Sequence, residues 1–253
     1  MTVEHLRVRT RDISDAEWQV RVNLAALYRL CVHYGWTDIT ATHISARIPG
    51  NDDQYLLNCF ELMFDEISAS TLMRVGYDGE LEDKSRTLNK AGHLIHSAML
   101  QARPDIDFVM HTHTRAGMAV AAMPGGLQPL SQHSGFVLGT LATHPYQDVT
   151  HADDECELLA RDMGDNYAML LENHGFLTVG RTAAEAFFYH YYLEMSCKVQ
   201  VDVLGATQNP IRITDAALAP LKEMGHPKNG PHGNEEWPAL MRMLDRKDPS
   251  FRD

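Results

Sequence analysis

The sequence predicts an α/β fold with one central sheet covered by helices on both faces, and three observations carry that expectation. Short β-patterned runs alternate with segments whose apolar residues recur at helical spacing, the order from which layered α/β domains are built. The chain has 253 residues, enough to bury one substantial core. No linker, repeat or low-complexity tract divides it, so residues 1–253 are expected to form a single domain, with 206–253 as a carboxyl-terminal extension.

The elements follow from local patterns. Val20, Leu24, Leu27, Cys31 and Tyr34 share a helical face widened by Trp18 and Leu30, and Ser14 and Asp15 precede them as caps. This predicts a helix from Asp15 to Tyr34, ending at Gly35. Ile44 to Ile48 and Tyr55 to Asn58 read as a hairpin around the turn Pro49-Gly50-Asn51-Asp52, and Met73 to Tyr77 reads as another strand, stopped by Asp78-Gly79. A helix is expected over 90–102, apolar at Leu94, Ile95, Ala98 and Met99 and closed by Arg103-Pro104, followed by a strand over 106–111. A further helix runs from Arg115 to Met123, before Pro124-Gly125-Gly126. Residues 143–152 read as a loop and Asp153 to Met163 as a helix. Ala168 to Leu171 and Phe176 to Val179 carry the β pattern. A long helix spans Thr182 to Gly205, opened by a capping box of Thr182 and Glu185. The turn-rich Pro227 to Gly233 is expected to be flexible. Trp237 to Leu244 reads as an amphipathic helix that docks on its own domain or on a neighbouring subunit.

Composition excludes some functions. The formal charge of −12 and the lack of a Lys/Arg cluster argue against nucleic acid and leave a small-molecule or protein partner. No apolar run approaches the ~18 residues of a membrane span, and Met1-Thr2-Val3-Glu4-His5 is no signal region. Cys31, Cys59, Cys156 and Cys197 are scattered, with no Cys-x-x-Cys pair, and read as reduced thiols. A soluble, cytoplasmic protein is expected.

The chemistry concentrates at Val109-Met110-His111-Thr112-His113. Residues i and i+2 of a strand face the same way, so a strand ending here would deliver two imidazoles to one cation. The same spacing also suits two histidines held by ordinary hydrogen bonds. A second segment favours the cation: Ala168 to Leu171 runs into Glu172-Asn173-His174-Gly175, placing another histidine at a strand break. Three such histidines would form one side of a coordination sphere and leave positions open, as catalytic metals require. Among the 14 histidines, His5, His33, His43, His93, His144, His151, His190, His226 and His232 are read as satisfied structural or surface residues.

Thr42-His43-Ile44-Ser45-Ala46-Arg47, Asn89-Lys90-Ala91-Gly92, His96, Ala102-Arg103-Pro104-Asp105, His111-Thr112-His113 and Glu172-Asn173-His174-Gly175 resemble the successive signatures of the class II aldolase/adducin family. The match spans about Trp18 to Leu204. The resemblance implies a three-layer α/β/α sandwich with a mainly antiparallel central sheet, assembled as a homotetramer with active sites at subunit boundaries. It also implies one divalent transition metal per chain, held by His111, His113 and His174, with zinc foremost and iron or manganese as alternatives. The glutamate that moves protons in the sugar-phosphate aldolases falls at Gly92, and glycine can do no acid/base work, a loss typically worth roughly 10²- to 10⁴-fold in rate. This departure resembles the adducin-like branch. The family's phosphate loops correspond to Thr42-His43-Ile44-Ser45 and Phe60-Glu61, and Glu61 would either repel a phosphate or point into solvent.

The reading that follows is a metal-dependent C–C lyase, an aldolase or decarboxylase acting on a small oxo or hydroxy acid or an aromatic hydroxy acid. The alternatives are a non-haem Fe(II) oxygenase cleaving an aromatic oxo-acid side chain, and a non-catalytic adducin-like scaffold. His133, in Leu130-Ser131-Gln132-His133-Ser134, is the candidate replacement acid/base, and Arg115 the candidate carboxylate clamp, against structural or interface roles for each. Glu172 is a candidate orienting acceptor for His174, with a solvated carboxylate as the alternative. His96 is expected to be structural. Trp237 and the 226–234 loop are candidates to reach a neighbour's pocket.

Overall fold

The sheet and its registers decide where the histidines end up. A computed structural model describes residues 13–146 and 152–253; the amino-terminal readings, including His5, and His151 with residues 147–150 of the loop expected around it lie outside these. Among the described residues, β1 (His43–Arg47), β2 (Gln54–Leu57), β3 (Met73–Gly76), β4 (Phe108–Thr112), β5 (Leu141–His144), β6 (Ala168–Leu171) and β7 (Gly175–Gly180) form one sheet. Its order is β3-β2-β1-β4-β7-β6-β5. Every neighbouring pair is antiparallel except β5 and β6. That parallel pair is joined through α5 (Ala152–Met163), the crossover that parallel strands require.

Helices cover both faces. On one side α1 (Asp15–Tyr34), α3 (Arg115–Ala121) and α6 (Ala183–Ala206) pack together over β1, β4 and β7, and on the other α2 (Lys90–Ala102) lies against β1, β4 and α5. Side chains mark the two faces: Thr112 of β4 meets His190 of α6, whereas Ser45 and His43 of β1 meet His96 of α2. The mainly antiparallel three-layer sandwich is thus observed. α1 begins at Ser14, whose Oγ accepts the Glu17 N–H, and ends at Gly35 in the left-handed region. No described helix is long and apolar enough to cross a membrane.

Several elements differ from the sequence expectations. Residues 143 and 144 complete β5 instead of opening a loop; Leu141 to Thr143 stay partly exposed on an edge strand, so no apolar run announces it. The stretch before it forms α4 (Gln132–Leu138), only two turns long. The tail contains α7 (Asp215–Met224), which holds Pro220 and buries only Leu218, so neither composition nor periodicity reveals it. The Pro227 to Gly233 segment is held rather than free: Arg181 Nη2 donates to the Pro227 carbonyl at 2.7 Å, and the His232 ring stacks on Phe188 at 4.8 Å. The capping box at Thr182 is half formed. Thr182 Oγ1 accepts the Glu185 N–H, but the Glu185 carboxylate turns to Arg181, accepting its backbone N–H and guanidinium. A charge-assisted, two-point contact outcompetes a neutral one. The last helix, α8 (Trp237–Lys247), runs three residues past its expected end and packs on α1 of its own chain.

Under α1 lies a buried ion cluster. Glu17 accepts from Arg21 at 2.8 Å and Arg74 at 2.6 Å, and Arg21 also donates to the Ala69 and Leu72 carbonyls. Burial pushes the Glu17 carboxyl up, but the two guanidinium contacts outweigh it and hold the group below the ordinary carboxylate range. Removing the acid strands Arg21, which is 1 % exposed. Glu17→Ala is therefore expected to lower unfolding free energy by about 3–5 kcal/mol, read from urea denaturation at fixed protein concentration.

Candidate metal centre

Three strand ends meet at one point. His43 opens β1 opposite His111 near the end of β4, and Thr112 pairs with Phe176 at the start of β7. His113 follows β4, and His174 closes the tight turn between β6 and β7. Asn173 takes a left-handed φ of 56° in that turn, a conformation asparagine tolerates. Gly175 allows the close approach, since a Cβ there would lie 2.6 Å from the Thr112 carbonyl oxygen.

The three imidazoles converge through their Nε2 atoms, 2.9 Å apart for His111 and His113 and 2.8 Å for His113 and His174. Their protonation is settled on the other side of two rings. His111 Nδ1 donates to the Phe176 carbonyl at 3.1 Å, and His113 Nδ1 donates to the Asp38 carboxylate at 2.9 Å. In a neutral imidazole the proton on Nδ1 leaves a lone pair on Nε2. Two acceptors at this separation cannot bond each other, and a cation between them resolves the repulsion. The spacing lies within reach of two nitrogens each about 2.0–2.1 Å from one ion, the usual Zn–N length. Burial, then the neighbouring His43, His174 and His113, depress the His111 pKa far below that of a free imidazole, and burial with His113 lowers His174 to about 4. Both rings are therefore neutral at neutral pH, the form that ligates. The donor set fits a divalent transition ion.

A second layer of histidine lies against the triad. The His43 ring is 5.0 Å from that of His111, and its Nδ1 pairs with His96 Nε2 at 2.7 Å; His96 Nδ1 in turn meets Ser45 Oγ. Both His43 and His96 are buried. A Cβ at Gly92 would lie 2.5 Å from Cδ2 of His43. The absence of an acid at position 92 thus has a packing cause, because the His43 ring stands against the α2 backbone there. His43 is buried and hydrogen-bonded, as a structural histidine is expected to be, but its contact at Gly92 has no local signal in the sequence.

The sequence-derived candidates divide. His111, His113 and His174 come together. His133 and Arg115 do not join them within the chain: the His133 ring packs on Tyr192 at 5.2 Å, and Arg115 is exposed at the start of α3. Among the described residues no hydrogen bond or ring contact ties either to the triad. Glu172 is exposed and makes no bond to His174, so the orienting acceptors are Asp38 and the Phe176 carbonyl. Asp38, 75 residues before His113 in the chain, gave no spacing signal; its mark is structural, as the next residue, Ile39, takes a φ of 48°, unusual for a β-branched side chain. Glu61 is exposed and accepts from Cys59 Sγ.

Beside His174 a cavity of about 430 Å³ opens, walled by Leu94, Ile95, Leu159 and Leu171, with Lys90 and Glu172 among its polar lining. A larger depression of about 930 Å³, bordered by Arg47, Asp53 and Glu80, includes no member of the triad. Its polar, open walls suit water better than a held substrate.

The sequence profile described as "Class II Aldolase and Adducin N-terminal domain" matches residues 22–201. A Pseudomonas aeruginosa protein named "Putative aldolase class 2 protein" is 43% identical over 245 residues, covering 95% of this chain and 94% of the relative. Rat alpha-adducin is 34% identical over 242 residues, which cover 89% of this chain but only 33% of adducin. The structure of L-fuculose 1-phosphate aldolase from Glaciozyma antarctica superposes with a TM-score of 0.81 at 28% identity, covering 100% of this chain and 95% of that one.

Two predictions follow from the packing and the buried rings. Gly92→Ala drives a methyl into the His43 ring, and thermal or urea unfolding is expected to show a loss of about 1–3 kcal/mol. His43, His96, His111 and His190 all have pKa values depressed mainly by burial, His190 to about 3. Their unfolded values lie near 6.5, so the unfolded chain binds more protons below that pH. The stability they confer is complete above about pH 6.5 and falls as pH drops towards the folded values, by about 1.4 kcal/mol per unit for each proton taken up. Urea midpoints of metal-free protein between pH 7.5 and 5 are expected to fall with a slope of more than one proton.

Proposed function

The chain belongs to the class II aldolase and adducin family, and from that membership we propose that it is a metal-dependent carbon–carbon lyase of aldolase or decarboxylase type. Its substrate is a small oxo or hydroxy acid, or an aromatic hydroxy acid, rather than a sugar phosphate. The observation that carries this reading is the convergence of three Nε2 atoms, two of which, on His111 and His113, are left as lone-pair donors by their Nδ1 partners. A bound divalent ion, zinc foremost with iron or manganese as alternatives, would supply a Lewis acid for the oxygen on which charge builds as a carbon–carbon bond breaks.

The chain's own groups divide the remaining work. Asp38 and the Phe176 carbonyl fix the orientation of His113 and His111, as outer partners of ligating imidazoles do. The apolar walls beside His174 exclude water and take the body of the substrate. Lys90 is the one Lys or Arg among those lining residues, and its ammonium suits a single carboxylate. A phosphate would call for more positive charge, and Glu172 on the same rim opposes it. With His43 against Gly92, residue 92 takes no part in proton transfer. His133 and Arg115 enter this reading only across a subunit boundary, in a homotetramer whose interfaces include the 206–253 extension.

The similarity to alpha-adducin and the glycine at 92 favour a second reading, a scaffold without catalysis. Metal content separates the two. Untagged protein purified anaerobically is expected to carry close to one transition metal per chain by elemental mass spectrometry, and His111→Ala to carry none. Zinc or manganese supports the lyase, stoichiometric iron supports an oxygenase of the same fold, and absence of metal from the wild type supports the scaffold. Asp38→Ala is expected to weaken metal affinity about 10- to 100-fold, measured by competition with a chromogenic chelator.

A further inference from the structure

His144, at the carboxyl end of β5, is 3 % exposed and lines the cavity beside His174. Its Nδ1 meets the Asp162 carboxylate at 2.8 Å, while its Nε2 is buried without a hydrogen-bond partner. Because a carboxylate only accepts, Nδ1 carries the proton, and in the neutral imidazole Nε2 then presents a lone pair. Asp162 is well placed for this. Burial raises its carboxyl pKa, but hydrogen bonds from Arg161 and His144 outweigh that and hold it below the ordinary range, so the acceptor stays ionised.

The backbone ties this imidazole to the metal centre. His144 pairs with Leu171 across the parallel ladder, and its carbonyl accepts the Glu172 N–H at 2.9 Å, two residues before His174. The acceptor is therefore fixed relative to the triad by strand geometry rather than by a loop. A buried acceptor with no partner is unfavourable until a donor arrives, and protein interiors rarely leave one unmet. Lys90, Tyr146 and Cys156 also line the cavity, but none of them reaches Nε2, so a donor can come from what the cavity holds.

We propose that His144, positioned by Asp162, is a specificity-determining residue that selects substrates carrying a hydroxyl on the apolar body distant from the metal-binding end. This rests on the reading of His111, His113 and His174 as a metal centre. The substrate class narrows to oxo or hydroxy acids with an aromatic or branched body that bears a hydrogen-bond donor. The acid end lies towards the triad and Lys90, and the donor meets Nε2 of His144. A site built to pair a hydroxyl discriminates strongly against the analogue lacking it, since binding the analogue leaves the acceptor unpaired.

The test is calorimetric titration of zinc-loaded protein with 3-phenyllactate and with its 3- and 4-hydroxyphenyl analogues, with zinc measured in the same samples. The wild type is expected to bind at least one hydroxylated analogue about 10- to 100-fold more tightly than phenyllactate. His144→Phe should abolish that preference while zinc stays near one per chain. Asp162→Asn should weaken binding of the hydroxylated analogue alone, because the amide no longer enforces the tautomer; it gives a second readout if His144→Phe fails to fold. Equal affinities in the wild type, no binding of any probe, or a preference that survives both variants overturns the proposal. Full zinc in those samples would place the failure at His144, whereas zinc absent from the wild type would place it at the triad.

Discussion

Three imidazole Nε2 atoms converging on one point are the constraint around which this structure is organised. The arrangement is repulsive by itself, because His111 and His113 have spent their Nδ1 protons on a carbonyl and a carboxylate. Antiparallel registers hold them there: β1, β4 and β7 bring His43, His111 and the turn bearing His174 to the same end of the sheet. A slip of one residue in β4 would turn both ligands to the opposite face. The apolar core on either side of the sheet fixes that register, so the burial of Val109 and Met110 and the position of the candidate site are one problem.

Around the triad the protein has placed polar groups where a sheet of this kind usually buries hydrocarbon. On the α2 face the chain Ser45–His96–His43 reaches Gly92; on the α6 face Thr112 and Thr178 hold His190 between them at 2.9 and 2.8 Å. Thr114, which caps α3, also donates to the buried Glu194. Each of these groups finds a partner, as burial demands. Satisfied networks rigidify their surroundings, and here they flank the strand ends that carry the ligands. His144 Nε2, like Trp36 Nε1 and Thr42 Oγ1, is buried without such a partner, and the His144 side chain lines the cavity.

Much of this was legible in the sequence. The helix Asp15–Tyr34 shows its caps and apolar face, and its bounds agree with the structure residue for residue. The three candidate ligands were readable because His-x-His at a strand end and Asn-His-Gly at a strand break are local patterns. The layered fold was readable from the order of elements, and its mainly antiparallel sheet from the family resemblance. What was hidden depends on long-range contact. Asp38 meets His113 only through the tertiary fold, 75 residues away in the chain, and nothing near Asp38 hints at it. The stacking of His43 on the backbone of Gly92 arises from β1 lying beside α2, which no spacing rule encodes. β5, α4 and α7 were missed because a short edge strand, a two-turn helix and a helix with an internal proline carry little periodicity. His144 has no local signature, since its significance lies in an absent partner.

The central claim is that His111, His113 and His174 bind one ion through Nε2. X-ray absorption spectroscopy at the zinc edge of reconstituted wild-type protein tests it most directly. The account predicts a first shell with three imidazole nitrogens at about 2.0–2.1 Å, identified by the outer-shell scattering of their rings, completed by light oxygen donors. A shell containing sulfur, or oxygen donors with no imidazole scattering, would contradict it.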